Sequence, residues 1–267
     1  MNNIALGNEA IRITKEKCYN VNGKDVILPS EDYEDVIVIS PDDGQNLLST
    51  GISNFKTDKM CNISVVNMDS YQAGRQYENA LVMNFANAHN PGGGFLMGAT
   101  AQEESLCRCS TLYASINSAK AGEMYRYNNT HPCRVESDYM LISPKVAVFR
   151  DENYELMNNP VVLAVVTAPA PNRRGAALIA SDKLIEDTFI RRIRIILLAA
   201  AEYGYKNLVL GAWGCGAFGN SPSKVANYFK EVIIDEEYGK CFDEICFAIY
   251  GRENGRNITA FRDCFLN

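Results

Sequence analysis

Short runs of apolar and β-branched residues recur along this chain, separated by polar and turn-forming residues. They lie at 36–39, 63–66, 81–85, 146–149, 161–167, 208–210 and 245–250. Runs of this length with such boundaries are typical of strands, and those that are apolar throughout predict strands buried on both faces. The pattern therefore predicts a sheet that is covered on two sides.

A different spacing of apolar residues is found between some of these strands. From residue 181 to about residue 202, apolar side chains recur near the helical period. A second helix is predicted to begin at Ser221, because a hydroxyl residue followed by Pro222 suits the start of a helix. Strands that alternate with helices indicate an α/β sandwich.

The first fifty residues are predicted to form a separate layer. A helix is expected over 9–17, followed by a hairpin around Asn22 and Gly23. We therefore divide the chain into an accessory extension at 1–50 and a main domain at 51–267, on which the extension packs. The segment 122–138 is the most loop-like part, and we expect a flap or insertion beside the site.

Composition narrows the class of protein. The chain has 267 residues, of which 47% are hydrophobic and 22% charged, as in an ordinary soluble domain. The formal net charge of -6 argues against a broad basic surface for nucleic acid. It does not exclude a small anionic ligand, because main-chain amides can form a local positive site.

The cysteines of the chain indicate its cellular compartment and whether it binds a metal. Nine cysteines without paired metal-ligand spacing indicate reduced thiols and an intracellular protein. The longest apolar run, 160–170, is too short to span a bilayer, and no secretory signal is visible at the N-terminus. We expect a cytoplasmic protein that binds neither membrane nor metal and needs no cofactor.

The most informative stretch runs from residue 81 to residue 110. A predicted strand ends at Asn87, three consecutive glycines follow at 92–94, and seven residues later Gln102, Glu103 and Glu104 open a predicted helix that extends to residue 116. Consecutive glycines mark positive φ or a close approach of main chain. Taken separately, each feature has an ordinary explanation. The glycines could form a surface loop, and the acidic residues could simply favour the first turn of a helix.

A second glycine loop, GAWGCGAFGNSP, lies at 211–222 between a predicted strand and the helix at Ser221. Main-chain amides bind phosphate in this context. The spacing of its glycines fits GxGxxG, but a Rossmann site should be followed about twenty residues later by an acidic residue at the end of the next strand. A long helix follows instead. Phe218 fits equally well against a sugar or in the core.

Together these two motifs resemble poly(ADP-ribose) glycohydrolases, a branch of the macrodomain family. The stretch NFANAHNPGGGFLMGATAQEESL is similar to the bacterial type, and WGCGAFGN is similar to the family's second phosphate loop. The resemblance extends to the N-terminal helix and the VVTAPAPN segment. It implies a three-layer α/β/α sandwich with a central mixed sheet.

The resemblance also implies roles for individual residues. Glu104 would be the catalytic acid/base, Glu103 would hold the sugar hydroxyls or the neighbourhood of the scissile linkage, and Gln102 would orient the pair. The implied ligand contacts are a ribose at Asn87 or Asn90, a close approach at Gly92, Gly93 and Gly94, and a diphosphate cradled by Gly214, Cys215, Gly216, Ala217, Phe218 and Gly219, with the ring of Phe218 against that ribose.

The implied reaction is hydrolysis of ribose–ribose O-glycosidic bonds in poly(ADP-ribose) to release ADP-ribose. Two adjacent carboxylates facing an anionic ligand would weaken simple binding, which favours an enzyme over a non-catalytic ADP-ribose-binding macrodomain. A mono-ADP-ribosyl hydrolase acting on protein or nucleic-acid conjugates stays open as an alternative. A Rossmann oxidoreductase is a more distant one.

Overall fold

The computed structural model describes residues 2–266, in which strands and helices alternate over most of the chain. The helices are α1 (Asn3–Glu16), α2 (Pro41–Thr50), α3 (Ser70–Gly74), α4 (Gln102–Cys109), α5 (Leu112–Ile116), α6 (Gly122–Thr130), α7 (Asp182–Glu202), α8 (Pro222–Lys230) and α9 (Arg256–Phe265). The strands are β1 (Cys18–Val21), β2 (Lys24–Ile27), β3 (Ile37–Ile39), β4 (Asn62–Val66), β5 (Ala80–Ala86), β6 (Met140–Arg150), β7 (Leu156–Pro169), β8 (Asn207–Leu210) and β9 (Glu244–Ala248).

A mixed sheet occupies the centre of the fold. Within the described residues its strand order is β3-β6-β7-β5-β8-β9-β4. The strands from β7 to β4 in this order run parallel, whereas β6 pairs antiparallel with both β7 and β3. Each of the predicted strands is present, although β9 ends at Ala248 and leaves Tyr250 outside it.

Helices cover both faces of this sheet. Along β5, Leu81 and Met83 pack into a core with residues of α7, α8 and α9, whereas Val82 between them packs into a second core with residues of α1, α4 and α5. Alternate side chains of a strand point to opposite faces, so both faces of β5 are buried. The predicted three-layer α/β/α sandwich is confirmed.

The N-terminal region has two parts. α1 begins at Asn3, earlier than predicted, and β1 and β2 form the predicted hairpin beside the main sheet. The strand β3, which lies within the predicted extension, is an edge strand of the main sheet. The domain boundary at residue 50 stays a prediction.

Two predictions, one of a helix and one of a loop, were wrong. The helix expected from residue 102 to residue 116 is broken into α4 and α5, because Thr111 pairs with β6: its N–H donates to the Ala147 carbonyl, and its Oγ1 accepts from the Ala147 N–H. The segment 122–138, predicted as a loop, begins with α6, which buries Met124 and Tyr125. Within residues 2–266, no helix is long and apolar enough to cross a membrane.

Candidate active site

A cavity of about 610 Å³ opens at the carboxyl edge of the parallel strands. Its lining includes Asn87 after β5, Ala170 after β7, Gly214 after β8, Tyr250 beyond β9 and Asp69 beyond β4. Ligands of parallel α/β sheets bind at this edge, because loops from several strands converge there. The fold thus brings both glycine-loop regions of the sequence to one place.

Glu103 lies in the first turn of α4 and is only 3% exposed. Its Oε2 accepts a hydrogen bond of 2.8 Å from the Asn87 N–H, and its Oε1 accepts one of 3.3 Å from Asn84 Nδ2. Burial raises the pKa of Glu103 to about 8, with a smaller contribution from the charge of Glu104, while the hydrogen bonds from Asn87 and Asn84 oppose the shift. Glu103 is therefore protonated at neutral pH.

Glu104, the next residue, is 7% exposed and lines the cavity. Its Oε1 accepts a hydrogen bond of 3.0 Å from the main-chain N–H of Gly94. Its Oε2 is buried and has no hydrogen-bond partner among residues 2–266. One oxygen is thus held by the protein, while the other has no partner among the described residues.

The three glycines lie against these carboxyl groups. Gly92 and Gly93 have φ values of +71° and +56°. A Cβ on Gly93 would lie 2.5 Å from Glu104 Oε1 and 3.3 Å from Glu103 Oε2. Position 93 therefore requires a residue without a side chain, to leave room for the two carboxyl groups. The triplet lies outside the lining of the cavity, so its predicted approach to a ligand is untested.

Gln102 fixes the start of α4 to the sheet. Its Nε2 donates to the Met83 carbonyl at 2.8 Å and to Ser70 Oγ at 3.0 Å, and its Oε1 accepts from the Phe85 N–H at 2.8 Å. Met83 and Phe85 belong to β5, so these bonds join the helix to the strand that ends at Asn87. The orienting role of Gln102 stays a prediction.

The two candidate asparagines differ in position. Asn87 lines the cavity, and its Oδ1 accepts hydrogen bonds from the main-chain N–H groups of His89 and Asn90. Asn90 is exposed and lies outside the lining, with its carbonyl accepting from the Gly93 N–H. The structure favours Asn87 as the residue that contacts a ligand.

The second glycine loop forms part of the cavity wall. Gly214, Gly216, Ala217 and Phe218 line the cavity, whereas Cys215 and Gly219 do not. Gly214 and Gly219 have φ values of +71° and +74°. Burial raises the pKa of Cys215 to about 12, so it is a neutral thiol and not a nucleophile at physiological pH.

Two hydrogen bonds from the side chain of Asn220 hold this loop in place. Asn220 Nδ2 donates to the Gly214 carbonyl at 3.1 Å and to the Pro171 carbonyl at 2.8 Å. The exposed Arg174 lies against Gly219, with its Nε 3.0 Å from the position of a Cβ there. A guanidinium therefore lies beside the loop that is predicted to hold a diphosphate.

The sequence interpretation missed Asp69 and Tyr250, which also line the cavity. Asp69 Oδ1 caps α3, while its Oδ2 is buried without a hydrogen-bond partner among the described residues. Burial raises the pKa of Asp69. Asp69 could have been predicted as a site residue, because it is an acidic residue shortly after the apolar run at 63–66. Tyr250 had been assigned to a strand.

Comparisons with known proteins agree on one family. The family model of the microbial-type poly(ADP-ribose) glycohydrolase catalytic domain matches residues 8–151. The chain superposes on the poly(ADP-ribose) glycohydrolase of Thermomonospora curvata with a TM-score of 0.91 and 32% identity, over 98% of this chain and 99% of the other. With that enzyme bound to the inhibitor ADP-HPD, the TM-score is 0.89 at 32% identity and the same coverage.

The poly(ADP-ribose) glycohydrolase of Deinococcus radiodurans, solved in complex with ADP-ribose, is also similar. Its TM-score is 0.81 at 33% identity, over 89% of this chain and 97% of the other. A comparison with curated protein sequences gave no match.

Proposed function

Because this chain belongs to the microbial-type poly(ADP-ribose) glycohydrolase family, we propose that Glu104 is the general acid and base of its reaction. The enzyme is a glycosidase that hydrolyses ribose–ribose O-glycosidic bonds in poly(ADP-ribose) and releases ADP-ribose. The observation that carries the role of Glu104 is its geometry: Oε1 is held by the Gly94 N–H, and the buried Oε2 has no hydrogen-bond partner among the described residues.

The reaction uses Glu104 twice. Its protonated carboxyl gives a proton to the bridging oxygen as the bond from that oxygen to the anomeric carbon breaks, which leaves a ribosyl cation. The resulting carboxylate then takes a proton from the attacking water, whose oxygen bonds to the anomeric carbon. The Gly94 N–H keeps Oε1 in place during both steps, so the same oxygen, Oε2, serves as acid and as base.

Glu103 has a complementary role in this proposal. Since its pKa of about 8 keeps it protonated at neutral pH, the pair does not place two negative charges beside an anionic ligand. Its hydrogen bond from the Asn87 N–H fixes the carboxyl where it can bind a ribose hydroxyl. Glu103 thus holds the sugar while Glu104 transfers the proton.

The remaining walls accommodate the rest of ADP-ribose. The diphosphate lies at the loop of Gly214, Gly216 and Ala217, with Phe218 against the adjacent ribose and Arg174 nearby. The partnerless Oδ2 of Asp69 is suited to accept a hydrogen bond from the exocyclic amine of adenine. This arrangement accounts for a ligand with two sugars, a diphosphate and a base in one cavity.

The substitution Glu104→Gln tests the proposal. It keeps the size of the side chain but cannot transfer the proton, so release of ADP-ribose from labelled polymer should fall by roughly a hundredfold to ten-thousandfold. Calorimetry should show that ADP-ribose still binds. Glu186→Gln, at a partly exposed position on α7 whose side chain is 41% exposed, serves as a control and should keep parental activity. Parental release by a folded Glu104→Gln variant would contradict the role of Glu104.

A further inference from the structure

We propose that Arg108 is a positioning residue for this reaction: its guanidinium fixes a loop whose main-chain N–H orients Glu104. The inference rests on the catalytic role of Glu104 proposed above. Arg108 lies on α4 one helical turn beyond Glu104 and does not touch the cavity. It acts only through the main chain of the loop between the glycine triplet and α4.

Arg108 is fully buried but has no carboxylate partner among the described residues. It is 0% exposed, and the centre of its guanidinium lies 5.9 Å from the ring of Tyr154. Its Nη2 donates to the Ala99 carbonyl at 2.5 Å, but Nε and Nη1 have no hydrogen-bond partner among the described residues. The other fully buried arginines, Arg150 and Arg192, each form an ion pair with a carboxylate.

A buried cation without a carboxylate partner contributes little to the stability of a fold, because its desolvation is not offset by a counter-charge. Packing alone is therefore a poor explanation for a guanidinium at this position, and an apolar side chain of similar length would pack there at no such cost. The hydrogen bond to Ala99 is the contact that an apolar side chain cannot replace.

This hydrogen bond is the first of three that lead to the catalytic carboxyl. Arg108 Nη2 donates to the Ala99 carbonyl, the Ala99 N–H donates to the Gly94 carbonyl at 3.2 Å, and the Gly94 N–H donates to Glu104 Oε1 at 3.0 Å. The chain begins and ends on α4, at positions four residues apart on one face of the helix. α4 therefore holds the loop at both ends.

Packing couples the two inner members of this chain. A Cβ on Gly94 would lie 2.7 Å from the Cβ of Ala99, a distance that side chains do not adopt without movement. Gly94 and Ala99 are thus in direct contact, so a shift of Ala99 moves Gly94. Without the Arg108 donor, the Ala99 carbonyl loses its anchor, and the N–H that orients Glu104 moves with it.

The experiment compares Arg108→Met with the parent enzyme. Steady-state release of ADP-ribose from labelled polymer, calorimetric binding of ADP-ribose and thermal unfolding are measured on the same preparations. We expect kcat to fall at least tenfold, because small errors in catalytic geometry are costly. KM and the Kd for ADP-ribose should stay within about threefold, and Tm should change little. Arg108→Lys, which keeps a cationic donor, should recover part of kcat.

Two results would overturn the proposal: a kcat within about twofold of the parent, or losses of binding and of Tm that match the loss of kcat. The Glu104→Gln variant keeps this test separate from the proposed function. If Glu104→Gln is inactive and Arg108→Met has parental activity, only the role of Arg108 fails. If Glu104→Gln is active, the catalytic assignment itself fails.

A second pair of variants covers the case in which Arg108→Met does not fold. Gly94→Ala inserts a Cβ against Ala99, although the φ of −92° at Gly94 suits alanine. We expect its kcat to fall at least tenfold. Combining it with Ala99→Gly removes the clash and should restore most of kcat. Parental activity in Gly94→Ala, or no recovery in the double variant, would contradict the coupling on which the proposal depends.

Discussion

The carboxyl group of Glu103 is almost entirely removed from water, and its two hydrogen bonds do not compensate for this burial. Its pKa of about 8 is well above the value of 4.5 for a glutamate in water. Between these values the folded protein keeps a proton that the unfolded chain has released. The free energy of unfolding therefore falls as the pH rises through this window.

Glu103→Gln should abolish this contribution to the pH dependence. The variant gains stability over the parent by up to about 1.4 kcal/mol for each pH unit between about pH 5 and about pH 8, because glutamine has no proton to lose. Denaturant unfolding at several pH values measures the difference. A difference that does not change with pH would show that Glu103 is ionised in the folded protein.

At the scale of single residues, the sequence predicted the groups at the start of α4 and missed two cavity residues from distant parts of the chain. Gln102, Glu103 and Glu104 follow a glycine loop directly, so their proximity is a local property of the chain. Asp69 and Tyr250 reach the same cavity only through the strand order around β4, β9 and β8. Apolar periodicity does not determine that order.

At the scale of elements, two loops with glycines at positive φ come together near the cavity, and each precedes a helix. The loop before α4 holds the carboxyl pair, and the loop before α8 presents Phe218, which is half-buried and lines the cavity. Since this ring is not enclosed by the core, its removal should affect the ligand more than the fold.

Phe218→Ala should lower kcat/KM by about tenfold to a hundredfold, because the ribose is positioned less accurately when the phenyl ring is absent. Tm should change only by a few degrees. Phe218→Tyr keeps the ring and should retain more activity than the alanine variant. Release assays and thermal unfolding decide the outcome, and full activity of Phe218→Ala would instead make the ring a packing residue.

Two of the elements that the sequence did not predict, α6 and α2, have few apolar residues to indicate them. α6 buries Met124 and Tyr125 within a largely polar segment, and α2 buries only Gly44 fully. The break between α4 and α5 is caused by pairing of Thr111 with β6, a tertiary contact that no local pattern contains. Long elements with many apolar residues, such as α7, were predicted correctly because those residues reveal the period of the element.

At the scale of the whole molecule, the N-terminal helix supports the active-site layer. Asn3 Nδ2 in α1 donates to the Gly98 carbonyl at 3.2 Å, and Gly7 packs against the ring of Phe95. Glu9 forms an ion pair with Arg150, which is 1% exposed and donates through Nη1 to the carbonyl of Arg108. The first helix is thus joined to the end of α4 by polar contacts as well as by packing.

Glu9→Gln should therefore destabilise the protein by about 1–3 kcal/mol, because it leaves the buried guanidinium of Arg150 without a counter-charge. Glu16→Gln is the matched control on the same helix. Glu16 pairs with Arg12 at the surface, and its loss should cost about 0.5 kcal/mol or less. Denaturant unfolding compares the two, and equal losses would contradict a specific role for the pair of Glu9 and Arg150.

The hydrogen bond from Gly94 to Glu104 can also be followed by magnetic resonance spectroscopy. The amide proton of Gly94 is hydrogen-bonded to Oε1 of Glu104, so its magnetic resonance shift depends on the charge state of that carboxyl. A single glycine resonance in an isotope-labelled sample would follow the ionisation of Glu104 without a substrate. The same resonance would distinguish inhibitors that engage the carboxyl from those that occupy only the loop at Gly214.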